Sequence, residues 1–186
     1  MPCDVADRES TDKFFSWAEE SLGGIDIIVI NAGINIRERS MAETAPEDWD
    51  RVMAVNATGP FNCMHAVLPG MRERQDGLIV NICSTAGKRP IPLGGIAYGA
   101  SKFAQRALGI GAGYEDGDNG IRITNLYPGE VDTPILDNRP QQVTDEHKAR
   151  ILQPEDIASM VVAVARLPAR ASVPEVIVKP TIQLYA

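Results

Sequence analysis

A serine, a tyrosine and a lysine in this chain have the types and spacing that a proton-transfer site requires. Tyr98 and Lys102 are four residues apart, so on a helix they lie on one face, a turn apart. An ammonium beside a phenol favours the phenolate, which predicts a tyrosine pKa below its usual value of about 10. Ser84 follows an apolar run and can hydrogen-bond the oxygen that gains or loses the proton. The three side chains suit a carbonyl/alcohol interconversion, which also needs a hydride carrier.

The surroundings of these residues carry more weight than the Tyr-x-x-x-Lys spacing, which is weak evidence by itself. Taken alone, Ser84 is typical of a strand-end cap and Tyr98 of a half-buried core tyrosine. Three apolar runs are each followed by small or polar residues: Ile25–Ile30 by Asn31–Gly33, Leu78–Cys83 by Ser84–Gly87, and Ile121–Leu126 by Tyr127–Gly129. Such runs, separated by helical stretches, predict a doubly wound parallel α/β sheet of the Rossmann-like type. Ligands bind such sheets at the carboxyl ends of the strands, where Ser84 falls.

Five short motifs, in order along the chain, resemble those of the short-chain dehydrogenase/reductase family. They are Cys3-Asp4-Val5, Asn31-Ala32-Gly33, Asn56-Ala57-Thr58-Gly59, Ser84 with Tyr98 and Lys102, and Pro128-Gly129 with Thr133. The resemblance extends over nearly the whole chain. It implies an oxidoreductase that transfers a hydride between NAD or NADP and a small-molecule carbonyl or alcohol substrate.

The resemblance also implies a role for each matching catalytic residue. Tyr98 corresponds to the general acid/base, and Ser84 to the residue that polarises the substrate carbonyl. Lys102 corresponds to the lysine that lowers the pKa of the tyrosine and holds the nicotinamide ribose. Asn56 corresponds to an asparagine that keeps a water in the proton relay; by itself it would be an ordinary residue at a helix break.

Three further segments resemble parts of the family's cofactor site. Asp4, with Val5 beside it, matches an acidic residue near the adenine, and it is explained equally well as an exposed turn residue. Asn31, Ala32 and Gly33 match the turn under the adenosine half of the cofactor. The segment that orients the nicotinamide carboxamide corresponds to Pro128, Gly129, Val131 and Thr133. Thr133 followed by proline is also typical of an ordinary turn.

The first twenty residues depart from the family pattern, which opens with a strand, a Thr-Gly-x-x-x-Gly-x-Gly turn, a helix and a second strand. The chain is expected to begin inside the third strand, at Met1–Val5, as a single Rossmann-like domain over residues 1–186 truncated before it. The pyrophosphate would then lose its main anion site, and Ile25–Ile30 would become an exposed sheet edge. Two hypotheses remain open: an oxidoreductase of which this chain is an incomplete form, or a non-catalytic relative that retains only a dimerisation surface.

Helical patterns connect the predicted strands. They cover Arg8–Leu22, a helix opened by a capping box at Thr44-x-x-Glu47 and interrupted at Gly59-Pro60, Phe61–Arg74, Ala97–Tyr114 and Pro154–Arg166. Val176–Lys179 is predicted as a terminal strand, and Asp132–Gln153 as a loop with a short helix that relatives close over the substrate. Phe61–Arg74 and Ala97–Tyr114 carry apolar residues on more than one face. A homodimer or homotetramer built on them, as in the family, is therefore expected.

Composition excludes several other classes of function. A net charge of −7 disfavours nucleic acid and anionic membranes as partners. No apolar stretch reaches the length of a membrane span and no signal pattern opens the chain, which predicts a cytoplasmic protein. Three scattered cysteines and two isolated histidines predict reduced thiols and no metal site.

Overall fold

The computed structural model describes residues 1–184 of the chain. Within them four parallel strands form one sheet in the order β1-β2-β3-β4: β1 Ile27–Ile30, β2 Gly77–Ile82, β3 Ile121–Pro128 and β4 Glu175–Val178. The helices are α1 Arg8–Leu22, α2 Pro46–Met53, α3 Gly59–Arg74, α4 Ile96–Asp116, α5 Asp145–Lys148 and α6 Pro154–Ala165. The predicted parallel α/β architecture is confirmed.

Strands β2 and β3 are buried along most of their length because helices cover both faces of the sheet. On one face Ile79 packs with Met64 and Val67 of α3. On the other, Leu78 and Val80 pack with Val164 of α6. Burial of such side chains contributes roughly 25 cal/mol per Å² of apolar area removed from water, which makes this two-sided core the main source of stability. The core fixes the strand ends, where the polar motifs lie.

Strand β1 forms one edge of the described sheet. Ile27 and Val29 pair in register with Leu78 and Val80, so their side chains point to the α6 side of the sheet. Helix α6 does not reach them, and they are 48% and 44% exposed. This exposed apolar edge agrees with the sequence prediction.

Two local predictions are wrong. Met1–Val5 forms no strand, because no described strand pairs with it; the Asp4 carbonyl instead accepts the Asp7 N–H at 3.1 Å in a turn. The capping box at Thr44 does not form either, since its hydroxyl donates to the Ser40 carbonyl at 2.8 Å. Helix α2 begins one residue later than that motif requires, after Ala45 and with Pro46 in its first turn.

The predicted helix break at Gly59-Pro60 takes the form of a wide helical turn just before it. Ala54–Thr58 is a π-helical segment, and the Gly59 N–H donates to the Ala54 carbonyl five residues earlier. Pro60 has no N–H to offer the Asn56 carbonyl, which removes one bond of a regular α-helix. The chain then continues as α3, so α2 and α3 join through the segment that carries Asn56.

Candidate active site

A cavity of about 880 Å³ opens at the carboxyl ends of the strands. Nine of the residues singled out in the sequence line it: Asn31, Gly33, Ser84, Tyr98, Lys102, Pro128, Gly129, Val131 and Thr133. They come from four separate segments of the chain. The topology brings them together because the ends of neighbouring parallel strands meet at one edge of the sheet.

The Ser84 and Tyr98 side chains both line this cavity, where the Ser84 hydroxyl favours the charged form of the phenol. Ser84 follows β2 in extended conformation and caps the short turn Thr85–Gly87, its Oγ accepting the Ala86 N–H at 3.1 Å. Tyr98 lies in the first turn of α4. The two side chains thus share the cavity, and their joint binding of one substrate oxygen stays a prediction.

The start of α4 is set by a glycine that tolerates no side chain. Gly95 has φ +80°, and a Cβ there would overlap the Cβ and carbonyl oxygen of Arg39. The Arg39 carbonyl accepts the Ile96 N–H at 3.0 Å. This close approach fixes the direction of the first turn of α4, and hence the position of Tyr98.

The pKa of Tyr98 lies above its usual value, mainly because burial disfavours the phenolate. The nearby Ser84 hydroxyl and the positive charge of Arg39 oppose this rise. The sequence predicted a lowering by Lys102, and the direction found in the structure is the opposite. A phenol that stays protonated near neutral pH is the form that can give a proton to a carbonyl oxygen.

Lys102 lies beside Tyr98, with its Nζ 5.6 Å from the centroid of the tyrosine ring. Its ammonium donates to Gln105 Oε1 at 2.7 Å and to the Ile82 carbonyl at 3.3 Å. Lys102 is only 3% exposed, and burial lowers its pKa to about 8. The ammonium forms no ion pair with a carboxylate among residues 1–184.

Asn56 is fully buried beneath the cavity and does not line it. Its side chain accepts the Ile34 N–H at 2.8 Å and donates to the Ile34 carbonyl at 2.9 Å. It also donates to Ser101 Oγ at 3.1 Å, and Ser101 in turn donates to the Tyr98 carbonyl. Asn56 thus fastens the loop after β1 to the helix that carries Tyr98.

Three of the predicted cofactor residues lie outside the cavity lining. Asp4 is exposed, and its side chain accepts the Ala6 N–H at 3.0 Å. Val5 is half-buried and its carbonyl accepts a hydrogen bond from Asn62, while Ala32 is exposed. Their proposed contacts with an adenosine group stay predictions.

The segment after β3 is held against the end of the chain's last strand. The Gly129 N–H donates to the Val178 carbonyl at 2.7 Å, and a Cβ at Gly129 would collide with Lys179 and Gln183. Val131 pairs with Leu152, and Thr133 precedes the short turn Pro134–Asn138. The main chain from Gly129 to Thr133 is thereby fixed along one wall of the cavity.

Three arginines line the cavity, Arg39, Arg89 and Arg139, and none of them was singled out as a site residue from the sequence. Arg39 donates to the carbonyls of Ile36, Leu93 and Asn138 at 2.9, 2.7 and 2.6 Å. Arg139 forms an ion pair with Glu130, which also contacts His147 Nε2 at 2.9 Å. The sequence pattern predicts only polar loops for their segments. Local periodicity does not indicate contacts between distant residues, such as those of Arg39 with residues 54 and 99 positions away.

Neither a metal site nor a membrane span is found in the part of the chain that the structure describes. No cluster of three potential metal ligands occurs among residues 1–184. Cys3, Cys63 and Cys83 are free thiols. Helices in this range are too short or too polar to cross a bilayer.

The parallel sheet with flanking helices, and a cavity at its strand ends lined by a serine, a tyrosine and a lysine, define a Rossmann-like α/β protein. A family model described as short chain dehydrogenase matches residues 1–144, and the chain belongs to this family.

The chain is similar to known proteins in both sequence and structure. A glycine betaine reductase of Emericella nidulans is 32% identical over 95% of this chain and 14% of that protein. A short-chain dehydrogenase/reductase of Armillaria gallica is 36% identical over 85% of this chain and 65% of that protein. The closed form of a serine dehydrogenase complexed with NADP+ superposes with a TM-score of 0.88 at 32% identity, over 99% of this chain and 76% of that one. The chain spans less than two thirds of the length of these two curated relatives.

Proposed function

We propose that this protein is an NAD(P)-dependent oxidoreductase that interconverts a carbonyl and an alcohol. The observation that carries the proposal is the single cavity that Ser84, Tyr98 and Lys102 line together. Family membership and the NADP+-bound serine dehydrogenase support the same function. Residues 1–186 would act as a single dinucleotide-binding domain.

The residues around Lys102 fit a polar, phosphate-bearing cofactor. Lys102 offers a buried cation that no carboxylate in residues 1–184 neutralises, and neighbouring Gly33 leaves the approach to it open. A Cβ at Gly33 would lie 3.6 Å from Lys102 Nζ and 3.5 Å from Asn56 Oδ1, in the space that a ribose would use. Lys102 would hold the ribose hydroxyls, and the main chain at Pro128–Thr133 the nicotinamide end. When bound, the nicotinamide supplies the hydride.

In the reduction direction, Tyr98 would donate its proton to the substrate oxygen as negative charge develops there. Ser84 would hydrogen-bond the same oxygen and stabilise that charge. Because the pKa of Tyr98 lies above its usual value, the phenol is the populated form at neutral pH and has a proton to give. Asn56 would act through Ile34 and Ser101 by holding the helix in place, which makes it a positioning residue.

The test combines cofactor binding with turnover in matched tyrosine variants. Tyr98→Phe should abolish NADPH-dependent reduction of a panel of carbonyl compounds, because the variant has no proton to donate. Its affinity for NADP+, measured by the fluorescence of Trp17 and Trp49, should stay within about threefold of that of the unmodified chain. Tyr114→Phe is the control, since Tyr114 is 86% exposed and lies outside the cavity. Lys102→Ala should weaken both binding and turnover.

Two results would contradict the proposal. Binding of neither NAD+ nor NADP+ at millimolar concentration would favour the non-catalytic alternative, in which the retained surface serves assembly. Full turnover in Tyr98→Phe would remove the tyrosine from the chemistry.

A further inference from the structure

The charged residues that line the cavity are mainly cations, although the chain as a whole carries a net charge of −7. Arg39, Arg89, Lys102 and Arg139 line it, against a single carboxylate, Glu130. A concave site with this imbalance concentrates anions, because its low-dielectric walls focus the field of the cations. Lys102 is accounted for by the proposed cofactor, which leaves the arginines to be explained.

Arg39 contributes a charge that the protein does not neutralise. It is 8% exposed, and its three hydrogen bonds all go to main-chain carbonyls, which are neutral. It forms no ion pair with a carboxylate in residues 1–184. Leaving a buried guanidinium without a counter-ion is costly, and an anion bound in the cavity would offset that cost.

Arg139 lies directly next to Arg39. The Arg39 guanidinium donates to the carbonyl of Asn138, the residue before Arg139. Each charge is close enough to disfavour the other, and the nearby charge of Arg139 helps to lower the pKa of Arg39. Glu130 is the one carboxylate beside Arg139, and it also contacts His147. Two guanidinium groups therefore lie at this wall, and only Arg139 has an acidic partner.

The same wall lies close to the reacting hydroxyls. Arg39 bonds to the carbonyl of Leu93 just before α4, and its charge acts on Tyr98. A small substrate whose oxygen meets Ser84 and Tyr98 would therefore place its other end within reach of the arginine wall.

We propose that the substrate of this site is a small hydroxy or oxo acid whose carboxylate is bound by Arg139, in the field of Arg39. The inference rests on the proposed function, since it names the substrate class of the same cavity. Arg139 suits this role because a guanidinium fork pairs with both oxygens of a carboxylate. Arg39, whose nitrogens are engaged by carbonyls, is a positioning residue that holds three cavity segments together.

The experiment measures binding without turnover, so that a failure of hydride transfer does not affect it. The full chain is titrated calorimetrically with 3-hydroxybutyrate and with its neutral amide, each with and without NADPH, with which a hydroxy compound cannot react. The acid should bind about tenfold or more tightly than the amide, because a charge-assisted pair is stronger than a neutral hydrogen bond. In Arg139→Gln this preference should fall below about threefold, and in Arg139→Lys it should be partly retained.

Arg170→Gln is the matched control, because it removes the same charge from an exposed position outside the cavity lining. It should keep the preference for the acid. A melting curve for each variant shows whether it is folded, and Arg139→Lys carries the test if Arg139→Gln is not.

Equal affinity for acid and amide in the unmodified chain would overturn the inference. So would an Arg139→Gln variant that weakens NADP+ binding while keeping the preference for the acid, since Arg139 would then serve a cofactor phosphate. A preference that disappears in Arg139→Gln, in a chain that shows no turnover, would uphold the anion site and count only against the proposed function.

Discussion

The guanidinium of Arg39 is the cation whose charge lowers the pKa of Tyr98 in this structure, and burial of the phenol outweighs it. Lys102, the cation expected in that role, lies 5.6 Å from the ring centroid and donates to Gln105 and Ile82. The phenol of Tyr98 is therefore kept protonated, and the ammonium of Lys102 is held in the cavity wall by its bonds to Gln105 and Ile82.

The first prediction concerns the stability cost of the Lys102 ammonium. Its pKa falls from 10.5 in the unfolded chain to about 8 in the fold, so the unfolded state binds more protons between these pH values. Its contribution therefore makes stability rise with pH from about 8 to 10.5. Lys102→Met lacks this gain. Its free energy of unfolding, relative to that of the unmodified chain, should therefore decrease between pH 8 and 10.5 by on the order of 3 kcal/mol.

Urea unfolding of both proteins at pH 7, 8, 9 and 10.5 measures this difference directly. Both proteins carry Cys83→Ser, because the pKa of that thiol responds to Lys102; the comparison then cancels the titration of the groups that both chains share. A difference that stays constant with pH would show that the Lys102 pKa is not lowered.

A second prediction concerns the effect of the Ser84 hydroxyl on the pKa of Tyr98. Ser84→Ala removes a donor to the phenolate, so the pKa of Tyr98 should rise further. Tyrosinate absorbance, with the spectrum of the matching Tyr98→Phe protein subtracted, isolates this titration. Ser159→Ala is the control, because its exposed hydroxyl bonds only to the Glu155 carbonyl of its own helix. An unchanged pKa in Ser84→Ala would mean that the two hydroxyls do not interact in solution.

Two glycines of the α4 region should respond in opposite ways to alanine. Gly95→Ala introduces a Cβ at φ +80° against Arg39, and should cost about 1–3 kcal/mol or more of stability. Gly111→Ala meets nothing within 4 Å in the interior of the helix, and should stabilise the fold by about 0.5–1 kcal/mol. Thermal melts of the two variants test the pair, and equal effects would contradict the tight contact described at Gly95.

The last prediction concerns assembly. Phe61 of α3 and Phe103 and Tyr114 of α4 are 41%, 37% and 86% exposed. Apolar side chains on two neighbouring helices are typical of a subunit interface, so we expect a homodimer or homotetramer built on α3 and α4. Light scattering at micromolar concentration should give at least twice the mass of the chain, and Phe103→Glu should reduce it. A soluble monomer of the unmodified chain would overturn the expectation.

Local patterns in the sequence determined most of the helices and strands, and they singled out most of the residues that line one end of the cavity. Helix α1 has the predicted bounds because its apolar residues recur at helical spacing, Asp7 caps its start and Gly23 ends it. Strands β2 and β3 were recognisable as mainly apolar runs, since both of their faces are buried. Once the strands are parallel, their carboxyl ends meet, and this is why Ser84 could be expected beside Tyr98 from the residue pattern alone.

Tertiary structure alone decided the electrostatics of the site. Whether Lys102 lowers the pKa of Tyr98 depends on burial and on competing partners such as Gln105, which spacing does not reveal. Arg39 lies in the site because it donates hydrogen bonds to the carbonyls of residues that are 54 and 99 positions further along the chain. Likewise, Met1–Val5 forms no strand because no described strand lies beside it to pair with its backbone. Periodicity reports on neighbours within a helix or strand, whereas charge, desolvation and hydrogen-bond competition arise between segments that only the fold brings together.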